Sequence, residues 1–115
     1  MDNTPQPMLH VQQEMFEMVL LDVQKACHKN AVDKGFYDEA AARNVGEALM
    51  LCVTELAEAC EAARKGDDEN FAEELADTMI RIMDLAEHMD INLAREIVNK
   101  MKINMQRPPK HGKKF

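Results

Sequence analysis

Four acidic residues of the chain have the types and spacing to do chemistry: Glu55 and Glu58, then Glu74 and Asp77. Each pair is spaced i,i+3, which on a helix places both carboxylates on one side, about one turn apart. Two such pairs facing each other make an all-oxygen, anionic pocket. Hard cations such as Mg²⁺ select that kind of site, keep some of their waters and take further ligands from substrate phosphates. The chemistry implied is therefore that of phosphate groups rather than metal storage. A di-iron carboxylate site is disfavoured, because no Glu has a His three residues further on.

Four predicted helices must position these groups. The first follows Pro5 and Pro7 and runs from about Met8 to Lys34, with Met15, Phe16, Val19, Leu20, Val23 and Cys27 at helical intervals, and Gly35 ends it. After the loop GFYDEAAARN, Asn44 is the expected N-cap of a helix over about 45–65 that stops at Gly66. The acidic turn DDEN leads to a third helix over about 70–88. Asp90 or Asn92 caps a fourth, which runs to about Gln106 before Pro108 and Pro109 forbid its continuation. Breaks this short predict antiparallel neighbours, and an all-α fold of four-helix-bundle type. The layout is one domain with a helical core at about 8–106 and a basic tail at 107–115.

On the second helix the apolar stripe is Val45, Leu49, Cys52, Leu56, Ala59 and Ala63; on the third it is Phe71, Leu75, Met79, Ile82, Leu85 and Met89. Glu55 and Glu74 sit roughly 80° and 75° from their stripes, Glu58 and Asp77 roughly 140° and 135°, all with the same sign. Reversing one helix reverses its sense of rotation, so equal offsets on an antiparallel pair fall on one side of the pair. The four carboxylates can converge, and Asp84, about two turns beyond Asp77, can extend the set. Taken alone, however, an acidic stripe edge is more often simply solvated.

Composition narrows the classes. The chain has 115 residues, four Gly, four Pro, no Trp and 46 % apolar residues rich in Ala, Leu and Met, which favours a folded helical protein. No apolar run reaches the ~18 residues a membrane span needs. MDNTPQPMLH lacks the basic and apolar parts of a secretory signal, and three cysteines without a CxxC pair read as reduced thiols, so a cytoplasmic setting is expected. The net charge of −7 argues against non-specific nucleic-acid binding. Its distribution is uneven: twelve acids against three cations between Glu55 and Asp90, then six cations and no acid from Lys100 to Phe115. These are candidates for the metal side and the phosphate side of one site.

The segments TELAEACEAARKGD, EELADTMIRIMDLA and NKMKINMQRPPKHGKKF together resemble the MazG-like branch of the all-α NTP pyrophosphatases. That superfamily carries ExxE and ExxD motifs on antiparallel helices; here fifteen residues separate Glu55-x-x-Glu58 from Glu74-x-x-Asp77. The resemblance covers roughly Ala26 to Phe115. It implies Mg²⁺, with Mn²⁺ a possible substitute, held by Glu55, Glu58, Glu74 and Asp77. The implied reaction turns a (deoxy)nucleoside triphosphate into the monophosphate and pyrophosphate, in nucleotide-pool sanitation. Glu58, or Glu55, is the candidate base toward water.

The resemblance also carries His28, Phe36 and Tyr37 over as candidates near the substrate base, Tyr37 standing where relatives commonly have Trp. Lys100, Asn104 and Arg107 match positions that contact phosphate and sugar, with Ile103 where relatives often have an aromatic residue. For Lys110, His111, Lys113 and Lys114 a solvated chain end is the competing expectation. The implied assembly is a homo-oligomer, a tetramer built as a dimer of dimers, with no nucleic-acid or membrane partner. Two other functions compete: a non-catalytic helical module that binds a metal or a protein, and a dUTP- or phosphoribosyl-ATP-type pyrophosphohydrolase of the same superfamily.

Overall fold

The computed structural model describes residues 10–38 and 43–115; the expected start of the first helix at Met8, and part of the loop after Gly35, lie outside the described residues. Among the described residues all regular structure is helical: α1 (His10–Asp33), α2 (Val45–Lys65), α3 (Asp68–His88), α4 (Leu93–Met105) and a short 3-10 turn at Pro109–Gly112. None of these helices is long and apolar enough to cross a membrane.

Local chemistry explains the boundaries. Asn44 caps α2, its side-chain oxygen accepting from Glu47 N at 2.9 Å, and Gly66 closes it in the left-handed region at φ 73°. Asp67 accepts from Asn70 N at 3.1 Å, so α3 begins at Asp68, two residues before the expected start. Asn92, not Asp90, caps α4, accepting from Arg95 N at 3.1 Å; Asp90 instead turns the chain with φ 59°.

The chain divides into two compact units. One comprises the residues up to Leu21 and Asn92–Phe115; the other, Asp22–Ile91, holds the last part of α1 with α2 and α3. In the first, Ala94 and Val98 are buried, and Arg95 meets Glu17 at 3.7 Å. In the second, α2 and α3 pack along a seam lined by Ala48, Cys52, Ala59 and Ala62 from α2 and by Glu74 and Thr78 from α3. Gln24 of α1 is buried there, donating to Glu87 Oε1 at 3.0 Å and to the Ile91 carbonyl at 2.8 Å.

This seam corrects the expected packing face. Leu49, Val53 and Leu56 on α2, and Leu75, Met79 and Ile82 on α3, are each between 40 % and 55 % exposed, while alanines, Cys52 and two glutamates occupy the contact. Small side chains let two helices approach closely, so the alanine stripe forms the seam. The bulkier stripe lies roughly 90–105° further round each helix. The face that packs is the carboxylate-bearing one.

Candidate functional site

Three of the four predicted ligands come together across the seam. One carboxylate oxygen from each of Glu55, Glu58 and Glu74 lies within 4.8 Å of the other two. Glu55 and Glu74 are only 8 % and 9 % exposed, whereas Glu58 is open to solvent. Asp77 is exposed and outside this triplet; it lines an adjoining cavity of about 240 Å³, bordered also by Glu55, Arg81, Asp84, Arg43 and Phe36.

Crowding shows in the protonation of the cluster. The hydrogen bond with Glu55, burial and the charge of Glu58 together push the Glu74 carboxyl up to about 7. Glu55 is held below the usual carboxylate range, chiefly because Arg81 Nε donates to its Oε1 at 2.7 Å. Glu74 Oε2 is buried and has no hydrogen-bond partner among the described residues. An oxygen buried without a partner is costly, and a cation is one way to satisfy it. Three convergent carboxylates, one with an orphaned oxygen, thus fit a hard divalent ion with oxygen ligands.

Beside the triplet lies a second cluster, centred on Asp84, which is 6 % exposed. Tyr37 donates its hydroxyl to Asp84 Oδ1 at 2.9 Å, and His28 Nδ1 meets the same oxygen at 2.9 Å. The His28 and Tyr37 rings pack edge to face at 4.9 Å between centroids, and His88 lies 4.8 Å from Tyr37. The Arg43 guanidinium sits over Tyr37 at 5.1 Å. Burial, then the bond to Asp84, raises the Tyr37 hydroxyl to about 12. Burial and the Asp84 charge also push the Cys27 thiol up.

His28 and Tyr37 therefore stand together, whereas Phe36 is 57 % exposed at the cavity's edge. Lys100, Asn104 and Arg107 belong to the other unit. There Arg107 Nη1 lies 3.3 Å from His111 Nδ1, and Asn104 Oδ1 is buried with no partner among the described residues. Sequence reasoning missed Arg81, Arg43 and His88. Arg81 had a findable signal: it follows Glu74 by seven residues and Asp77 by four, hence shares their helix face.

Facing carboxylates on antiparallel helices place the chain in the class of all-α proteins to which its motifs point. Within that class, the model of the phosphoribosyl-ATP pyrophosphohydrolase family matches residues 23–102, more than half of the chain. The chain belongs to this family, whose MazG-like superfamily agrees with the resemblance of the motifs. The family is one of pyrophosphohydrolases, hydrolases of phosphoric anhydrides. Neither the curated proteins nor the solved structures yield a match.

Proposed function

We propose that this chain is a Mg²⁺-dependent nucleoside triphosphate pyrophosphohydrolase, releasing the monophosphate and pyrophosphate, with Mn²⁺ able to substitute. The observation that carries the reading is the triplet Glu55, Glu58 and Glu74, one member of which, Glu74, carries a buried partnerless oxygen. Bound there, a divalent ion supplies charge neutralisation for the phosphates and a lower pKa for a coordinated water.

The side chains divide the remaining work. Glu55 and Glu74, fixed in the helix seam, set the ligand geometry. Glu58 is the exposed member, so it can meet solvent water and take its proton. Asp77, lining the cavity next to Glu55, completes the acidic set on the substrate side. Tyr37 and His28, locked on Asp84, present a rigid aromatic surface on which a base can stack. The contribution of Lys100, Asn104 and Arg107 to phosphate and sugar binding rests on the resemblance alone. Nucleotide-pool sanitation is the role that suits a hydrolase of this reaction class.

The family match favours one specific alternative, phosphoribosyl-ATP as the substrate. It too bears a triphosphate, so the carboxylate chemistry is shared and only the base and sugar contacts differ. The deciding experiment measures pyrophosphate release from canonical and modified NTPs and dNTPs and from phosphoribosyl-ATP, with Mg²⁺ and with EDTA. Metal-dependent release, lost in Glu58→Gln while its thermal unfolding stays cooperative, is the expected result. Release that survives in Glu58→Gln would remove Glu58 as the base. No release from any nucleotide would turn the reading toward a helical module that binds a metal or a protein.

A further inference from the structure

The cavity beside the carboxylate triplet has a charge problem that its own walls only partly answer. Glu55, Asp77 and Asp84 border it, and its two cationic side chains among the described residues are Arg43 and Arg81. Arg43 lies over the Tyr37 ring, at the aromatic end. Arg81 stands at the carboxylate end, on α3, one turn beyond Asp77 and two beyond Glu74.

The Arg81 guanidinium is half committed. Its Nε donates to Glu55 Oε1 at 2.7 Å, with the Arg81 side chain 31 % and that of Glu55 11 % exposed. Among the described residues no hydrogen bond engages its two terminal nitrogens. A guanidinium carries five N–H donors in a rigid plane. Anchoring Nε fixes that plane and leaves the two Nη groups as a preformed fork, the geometry that grips two oxygens of a phosphate at once. Glu55 is not used up by the contact, since Arg81 occupies one of its two oxygens and a carboxylate can accept about four bonds.

We propose that Arg81 is a substrate-binding residue that grips the oligophosphate in this cavity, with Glu55 holding its guanidinium in register beside the carboxylate triplet. The assignment rests on the hydrolase reading for the triplet but adds a phosphate contact to it. Glu55 then joins the two halves of the site, accepting from Arg81 Nε at Oε1 while its carboxylate also belongs to the triplet. A phosphate bound to the fork is thereby placed next to the carboxylates.

The test compares wild type, Arg81→Gln and Arg81→Lys by calorimetry, with Mn²⁺ alone and with inorganic triphosphate in saturating Mn²⁺. Circular dichroism checks that each variant is folded. Losing charged hydrogen bonds to phosphate should weaken triphosphate binding roughly 10- to 100-fold in Arg81→Gln. Arg81→Lys, which keeps the charge but not the fork, should recover only part of that loss. Mn²⁺ affinity should change by less than about tenfold, the lower end of what losing a partner of a metal ligand costs. In turnover, the loss should appear as a raised KM.

Triphosphate binding unchanged in Arg81→Gln would overturn the fork. So would a fall in Mn²⁺ affinity large enough to account for the whole triphosphate loss, because Arg81 would then act only on Glu55. A wild-type chain that binds triphosphate through Arg81, yet releases no pyrophosphate from any nucleotide, would retain the fork and dismiss the hydrolase reading.

Discussion

At the scale of the residue, Asp84 ties the aromatic end of the site together, one oxygen receiving Tyr37 and meeting His28 at equal distance. The chain offers a clean reporter of this bond, because Tyr37 is its one tyrosine and it contains no Trp. Phenolate absorbance after a rapid pH jump should therefore titrate one group. Its midpoint should lie near 12, with burial the larger cause and the Asp84 contact the next. Asp84→Asn should move the midpoint down, though not fully to the ordinary value, since burial remains. The linkage has a definite sign. An unfolded tyrosine ionises near 10 and the folded one near 12, so the folded state holds its proton longer. The stabilising effect is complete below pH 10 and is lost as pH rises through 12. A wild-type midpoint at the ordinary value would mean that the Tyr37–Asp84 bond does not persist in solution.

At the scale of the element, α2 is defined by its two ends, and each end is separately testable. Asn44→Ala removes the cap on Glu47 N and should cost about 1 kcal/mol. Gly66→Ala places a side chain at φ 73°, where nothing lies within 4 Å of the added carbon. Its cost is therefore purely conformational, again about 1 kcal/mol. The ends lie roughly 30 Å apart, so the double variant should lose the sum, read as a lower urea midpoint at constant slope. A double variant clearly less destabilised than the sum would mean that α2 frays as one unit.

The same element shows what the sequence discloses and what it hides. Caps, glycine stops and 3.6-residue periodicity are local, so Asn44 and Gly66 could be read directly and the α4 cap narrowed to Asp90 or Asn92. The seam could be read only in part: Cys52 and Ala59 belong to the expected stripe, but a periodicity argument assigns its larger residues to the contact as well. Here Ala48, Cys52, Ala59 and Ala62 take that contact, and Leu49 and Leu56 stay outside. Glu55, Glu58 and Glu74 were legible as a set because their offsets from the stripe do not depend on which face packs. Asp77 shows the limit of that argument: a correct angle left it outside the triplet. Asp84 as a hub depends on residues distant in sequence, and Arg43 over Tyr37 on a contact outside any helix; one helix's periodicity reports neither.

At the scale of the molecule, the stripe left outside the α2–α3 seam is the feature that asks for a partner. Leu49, Val53 and Leu56 run along α2, and Leu75, Met79 and Ile82 along α3, large apolar side chains that each stay about half exposed. These positions carry no ionisable group, so two copies can meet there without stripping water from a charge. A face of this kind suits a two-fold contact, in which the same patch serves on both copies. Two helix pairs stacked in this way form a four-helix arrangement with a core that a single pair lacks. We therefore expect a homo-oligomer, at least a dimer, by light scattering at micromolar concentration. Leu75→Glu should weaken its association roughly 100-fold or more, because a carboxylate at the centre of such a contact must be desolvated without a partner. Glu73→Gln, on the same helix but away from the stripe, should leave the assembly intact. A wild-type chain that scatters as a monomer, with Leu75→Glu equally stable and equally monomeric, would assign the stripe to some other partner.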